Sequence, residues 1–370
     1  MRKFSAQYIF TNTGKPLKRG IITVDDNGFI VDVDDTNGSL TEKSSVEFYN
    51  GIIVPGFVNC HCHLELSHLK GKIDEGKGLR YFIEQITKQR DINLNNIKNA
   101  AEADAVMFKE GISLCADICN NDSSFSIKKI SRIKYINLLE TFGLDSAKAQ
   151  NLIDKIIKIS EVSANLNIPY NFVPHAVYST SLALFRLLKQ LSIANSVTSV
   201  HFMETKDEKM GTPELVKNNT DTVLNEITLS GNLILVHNTF ITNEILKSVN
   251  KRANLFFCLC PASNIYIEKK LPPVYMLKEE TENIVIGTDS LASNKKLSIL
   301  EELKILQHNF PAITLEELIK WATINGAIAL GENETFGAIE SGKKPGLILI
   351  SKIDLENMKL KPDSFAMRLI

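Results

Sequence analysis

From Phe57 to Gly287 the chain alternates between short apolar runs and longer stretches in which apolar residues return every three or four positions. The apolar runs are Phe57–His63, Ile112–Ile118, Ile133–Glu140, Tyr170–His175, Val197–Phe202, Leu233–His237, Leu255–Cys260 and Asn283–Gly287. Continuous apolarity over so few residues fits parallel strands covered on both faces. Helical spacing marks Asn96–Lys109, Ala147–Ser163, Leu182–Leu191, Asp221–Leu229, Asn243–Asn250, Ile299–His308 and Leu315–Ala329. The alternation predicts an α/β chain, with a closed (β/α)8 barrel preferred to an open parallel sheet.

The two ends of the chain have a different rhythm. Tyr8–Phe10, Gly20–Val24 and Phe29–Val33 read as short strands, and Asp25-Asp26-Asn27-Gly28 is a hairpin turn signal. Strand-like text returns at Gly337–Gly342 and Pro345–Ser351. Residues 1–55 and 335–370 are therefore expected to pair as a small β-sandwich beside a barrel formed by residues 56–334. The 370 residues suit that division, since a barrel of this kind uses roughly 250.

Composition narrows the function classes. A net charge of −1, with no Lys/Arg block, speaks against nucleic acid. No apolar run approaches the ~18 residues of a membrane span, and the first residues lack the apolar stretch of a signal peptide. Six cysteines sit mostly inside apolar runs without the spacing of a disulfide framework. Cys258 and Cys260 share a strand face, yet no second pair with finger spacing accompanies them. The expectation is a cytoplasmic protein acting on a small molecule.

The chemistry begins at His61-Cys62-His63. Side chains two apart on a strand share a face, so the two imidazoles point together at the end of an apolar run. Five of the seven histidines (61, 63, 175, 201 and 237) fall at such strand ends, and Asp289 follows the eighth strand. Barrels of this type keep their chemistry at those ends. Three imidazoles and a carboxylate suit zinc or a neighbouring first-row metal, which lowers the pKa of water towards neutrality. Glu204, three residues past His201, could move protons there; the alternative is a solvated loop carboxylate beside Lys206, Asp207 and Glu208.

Pro55-Gly-Phe-Val-Asn-Cys-His-Cys-His63, His201-Phe-Met-Glu-Thr205, Leu235-Val-His237 and Ile286-Gly-Thr-Asp-Ser-Leu-Ala-Ser293 together resemble the amidohydrolase superfamily. They are most similar to its mononuclear aminohydrolase branch. Gly337-Ala-Ile and Lys344-Pro-Gly-Leu347 match the returning β-sandwich of that family. The resemblance implies that His61, His63, His201 and Asp289 hold one divalent metal ion, zinc first and iron second. It implies that His237 and Asp289 orient and deprotonate water, and that Glu204 protonates a substrate ring nitrogen. Binuclear relatives carry a lysine at the end of strand four; here that strand ends Phe172-Val-Pro-His175, so a single metal is expected.

Pro174-His-Ala-Val-Tyr178 is similar to a substrate-contacting motif of the branch, which makes His175 a binding residue. His63-Leu-Glu-Leu-Ser67, together with Glu140 in Leu-Leu-Glu-Thr-Phe-Gly143, looks like the aminodeoxyfutalosine deaminases. Glu65 and Glu140 would then bind substrate, unless they pair with an arginine such as Arg80. Asp117 reads as structural, Ser263 and Asn264 as loop-shaping, and Lys70–Asp91 as a lid or pocket wall. The function so implied is hydrolytic deamination of an amino-substituted heteroaromatic, led by an adenine nucleoside derivative, with a homodimer in keeping with the family. Deamination of guanine or another free base, and triazine chlorohydrolase or cyclic amide hydrolase activity, are the alternatives. A catalytically silent barrel scaffold is the reading from a different class.

Overall fold

The computed structural model describes residues 1–39, 43–89, 94–192, 197–210, 231–249 and 254–370. The expected helix Asp221–Leu229, and the ends of two predicted segments at Asp91 and Asn250, lie outside the described residues. The chain divides into two compact units, one of residues 1–59, 106–114 and 298–370 and the other of residues 60–105 and 115–297.

The first unit holds a seven-stranded mixed sheet. Its strands are β1 (Arg2–Ile9), β2 (Leu17–Lys18), β3 (Ile21–Val24), β4 (Ile30–Asp34), β5 (Val46–Pro55) and, after eight barrel strands in chain order, β14 (Leu347–Ser351) and β15 (Phe365–Arg368). The order is β15-β14-β5-β1-β3-β4, with β2 on β1, so strands from both chain ends share the β-sandwich element. Phe4, Ile9, Ile22, Ile53 and Leu349 form its core. The turn at residues 25–28 forms as its composition dictates, with Gly28 at φ 88° and its N–H donating to Asp25 O, and it joins β3 to β4 antiparallel.

Two expectations fail in this unit. Gly337–Gly342 is not a strand: Gly337 and Gly342 both adopt positive φ, and only Ile339 N and Gly342 N reach neighbouring backbone. The glycines turn the chain where apolar alternation alone suggested extension. Leu315–Ala329 is two helices, Leu315–Ala322 and Ile324–Ala329, broken at Thr323 with φ −137° and ψ −89°.

The barrel strands are β6 (Phe57–Cys62), β7 (Ile112–Cys119), β8 (Lys134–Thr141), β9 (Tyr170–Pro174), β10 (Val197–Phe202), β11 (Asn232–His237), β12 (Leu255–Leu259) and β13 (Ile284–Ile286). They pair in the orders β6-β7-β8-β9 and β10-β11-β12-β13. Parallel bridges between Ala176 and His201 and between Cys62 and Asp289 join the two sets and close the (β/α)8 barrel. The strands are buried nearly throughout, as their unbroken apolarity requires. Among the described residues no helix is long and apolar enough to cross a membrane.

Candidate metal centre

Both closing bridges lie at the carboxyl ends of the strands, and the polar residues gather there. His61 in β6 and His63 just beyond it are buried, with their Nε2 atoms 3.1 Å apart. The His201 ring, near the end of β10, lies 4.8 Å from the His61 ring and 5.5 Å from that of His63. One donor atom from each of the three lies within 4.8 Å of the others. Asp289 Oδ1 approaches His63 Nε2 at 3.4 Å and His61 Nε2 at 3.7 Å. Nitrogen ligands at zinc distances in a tetrahedron stand about 3.3–3.4 Å apart, so these spacings are those of a ligand shell.

Protonation supports the same reading. Burial, reinforced by neighbouring His61, drives the His63 imidazole well below its ordinary pKa. Burial and the adjacent His175 push His201 down to about 3. Burial would raise the Asp289 carboxyl, but the imidazoles of His61, His63 and His237 outweigh it and hold Asp289 well below the carboxylate range. His63 and His201 are thus neutral and Asp289 ionised at neutral pH, the states that ligate. His201 Nδ1 lies 2.9 Å from His175 O, an acceptor, so Nδ1 carries the proton and Nε2 keeps its lone pair. The residues fit a divalent metal ion, and this is a metal-binding site.

The supporting shell is built from short-range choices in the sequence. Ser263 Oγ and Ser293 Oγ each donate to Asp289 Oδ2 at 2.6 Å, which leaves Oδ1 for the imidazoles. The backbone N–H groups of Thr288 and Asp289 both reach His61 O. Gly287 permits that approach, since a Cβ there would stand 2.8 Å from His61 Cβ and 3.0 Å from two cysteine sulfurs. Met203, His237, Asn238 and Asp289 all hold positive φ, a concentration of non-glycine strain typical of functional sites. Asp117 is structural as expected: Oδ1 accepts from Leu64 N at 2.7 Å and Oδ2 meets the buried Lys128 Nζ at 2.5 Å.

Glu204 is 5% exposed, which overturns the alternative of a solvated loop carboxylate. Its Oε1 lies 3.6 Å from His237 Nε2. Burial first, then the charges of Asp289 and Glu208, push its pKa well above the usual range. Its backbone N–H donates to Glu208 Oε2 at 2.8 Å, and burial raises Glu208 itself to about 7.

A cavity of about 250 Å³ opens from His63, with Thr87, Asn120, Glu140, His175 and Ser179 as polar lining. Leu66, Ile83, Ile86, Phe142 and Tyr178 form apolar wall, so the helix Leu79–Gln89 within the expected lid segment is a pocket wall. Glu65 stands behind that surface, accepting from Asn120 N at 3.1 Å. Arg80 pairs with Glu84 at the surface. Sequence reasoning missed Asn120, Glu208, and the Asp289 contacts of Ser263 and Ser293. A serine four residues after a strand-end aspartate was the available signal for Ser293; Ser263 arrives from another loop and left none.

Residues 52–367 match the model of the amidohydrolase family. An adenosine deaminase of Helicobacter pylori is 27% identical over 333 residues, covering 81% of this chain and 79% of that protein. The solved structure of Helicobacter pylori aminofutalosine deaminase in complex with methylthio-coformycin superposes with a TM-score of 0.79 at 22% identity, over 98% of this chain and 94% of the other. The atrazine chlorohydrolase of Arthrobacter aurescens complexed with zinc gives 0.78 at 17% identity, over 98% and 89%. These two structures share the fold. The family match runs through the barrel and into the strands from both chain ends, and the chain is an enzyme of the amidohydrolase family.

Proposed function

We propose that the protein is a zinc-dependent aminohydrolase that removes the exocyclic amino group of an adenine nucleoside derivative, an aminodeoxyfutalosine-like molecule first among them. The observation that carries this reading is Glu204, a buried carboxyl whose Oε1 lies 3.6 Å from His237 Nε2 beside the metal centre, with its pKa raised by burial. Likeness to an adenosine deaminase and to an aminofutalosine deaminase supports the substrate class, and the zinc of the atrazine chlorohydrolase supports the metal.

His61, His63, His201 and Asp289 would hold one ion per chain, which when bound supplies Lewis acidity and activates water. Glu204 holds a proton on its carboxyl group and delivers it to a ring nitrogen, making the neighbouring carbon electrophilic. Asp289 and His237 orient the attacking water, and Asp289 takes its proton. Glu204, now ionised, takes the remaining proton of the added hydroxyl and passes it to the amino group. The carbon–oxygen double bond forms as the carbon–nitrogen bond breaks, ammonia leaves, and the proton held by Asp289 resets Glu204. General acid–base assistance of this kind is worth ~10²–10⁴-fold. Glu140, His175 and Glu65 form or back the substrate pocket. Six buried free thiols favour a reducing, cytoplasmic location.

Loss of chloride from a triazine is the second reading, favoured by the likeness to the chlorohydrolase. A buried carboxyl placed to pass a proton supports deamination over it, because chloride leaves without a proton. The deciding experiment is ammonia release by zinc-loaded protein from adenine nucleosides, free aminated bases and a chlorotriazine. Release from a nucleoside, abolished by a chelator, is expected; chloride release alone would replace this reading with the second.

A further inference from the structure

Glu140 sits in the cavity in an unbalanced state. It is only 4% exposed. One carboxylate oxygen, Oε2, accepts from Asn120 Nδ2 at 2.9 Å. The other, Oε1, is buried without a hydrogen bond. The neutral His201 imidazole has its Nδ1 3.6 Å away, and that N–H already donates to His175 O. Leaving a buried carboxyl oxygen without a hydrogen bond is costly, and a ligand that donates to it recovers that cost. Of the surrounding wall, Leu66, Ile83, Ile86 and Phe142 offer no hydrogen-bond donor, and the hydroxyls are those of Thr87, Tyr178 and Ser179.

We infer that Glu140 Oε1 receives a hydroxyl group of the substrate, so that the pocket selects a hydroxylated N-substituent, a ribosyl group in particular, and discriminates against free bases. This deepens the proposed function and rests on its reading of the substrate as a heteroaromatic amine. The geometry divides the labour: the metal centre and Glu204 meet the ring, while Glu140, reached along the His63 side of the cavity, reads what the ring carries. Asn120 is a positioning residue here, because its side chain fixes Oε2 and thereby aims Oε1. A site built to bond a hydroxyl rejects analogues lacking it far more strongly than an apolar pocket does, because the acceptor is then left unpaired.

The test is binding, measured by calorimetry on zinc-loaded protein with purine, purine riboside and its 2′- and 3′-deoxy analogues, none of which has an amino group to lose. The riboside should bind at least about tenfold tighter than purine, and removal of one hydroxyl should cost about tenfold or more. In Glu140→Gln and Glu140→Ala that hydroxyl dependence should shrink towards one, as a cycle of protein and ligand changes requires. Equal affinity of purine and its riboside for the unaltered protein would overturn the inference. So would a hydroxyl dependence that survives in Glu140→Ala. Ammonia release is read separately: ribosyl selectivity without deamination would sink the proposed reaction and leave the Glu140 assignment standing, and deamination with no ribosyl selectivity would do the reverse.

Discussion

His201 Nδ1 lies 2.9 Å from the backbone carbonyl oxygen of His175, and the backbone N–H of His201 reaches the same oxygen at 2.9 Å. That double contact sets both the tautomer and the plane of the imidazole, so His201 presents Nε2 to His61 and His63. His237 faces Glu204 instead. Replacing the two histidines should therefore have different consequences. His201→Asn is expected to lose the metal, and His237→Asn to keep it while losing most turnover. Metal content by elemental analysis beside ammonia release checks this; equal metal loss in both variants would place His237 among the ligands.

Glu204→Gln keeps shape and burial but cannot relay a proton. It should retain one metal per chain and lose about 10²–10⁴-fold in kcat. Turnover near that of the unaltered enzyme would remove Glu204 from the proton path.

Ser263 and Ser293 hold the far oxygen of Asp289. Partners of this kind typically matter ~10–100-fold in metal affinity or activity. Ser263→Ala and Ser293→Ala should each lower activity within that range, and the double variant should lose more than the product of the two, since either serine alone still restrains the carboxylate. Competition with a zinc chelator and kcat are the readouts; fully multiplicative losses would show that the two serines act independently of each other and not as joint restraints on one carboxylate oxygen.

The pH profile offers a signed test. A proton donor works in its protonated form, so kcat should fall as pH rises through the elevated pKa of Glu204. The Glu208 charge is one of the causes that raise it. Glu208→Gln removes that charge and can still accept from Glu204 N, so the alkaline limb should move to lower pH with kcat at its maximum little changed. An unmoved limb would separate Glu208 from Glu204, and loss of kcat at every pH would point to a disordered loop.

Lys128 is wholly buried and pairs with Asp117, whose other oxygen caps the turn after His63. Lys128→Met leaves Asp117 charged without its partner, which in buried pairs costs about 3–5 kcal/mol. Denaturant unfolding should show a loss of that order. The double variant Lys128→Met/Asp117→Asn should recover part of it; no recovery would mean that lost packing, and not the stranded charge, governs the effect.

Periodicity carried much of the way to the fold. Eight apolar runs marked the barrel strands, and β10 and the helix Leu182–Leu191 have the predicted bounds, because a strand buried on both faces and an amphipathic helix write their environment into local sequence. It failed where backbone conformation outweighs apolarity, at Gly337–Gly342 and at Thr323. Histidines at strand ends also exposed the metal centre, since the barrel brings all such ends to one rim. Other features arise only when distant segments meet. The burial that raises the Glu204 carboxyl, the two serines on Asp289, the tautomer of His201 set by a carbonyl from the neighbouring strand, and the Glu140 oxygen without a hydrogen bond all depend on contacts between loops of different strands. Local patterning encodes which residues reach the rim; the charge each one bears there is decided by what the fold packs against it, because desolvation and hydrogen bonding are properties of the assembled site.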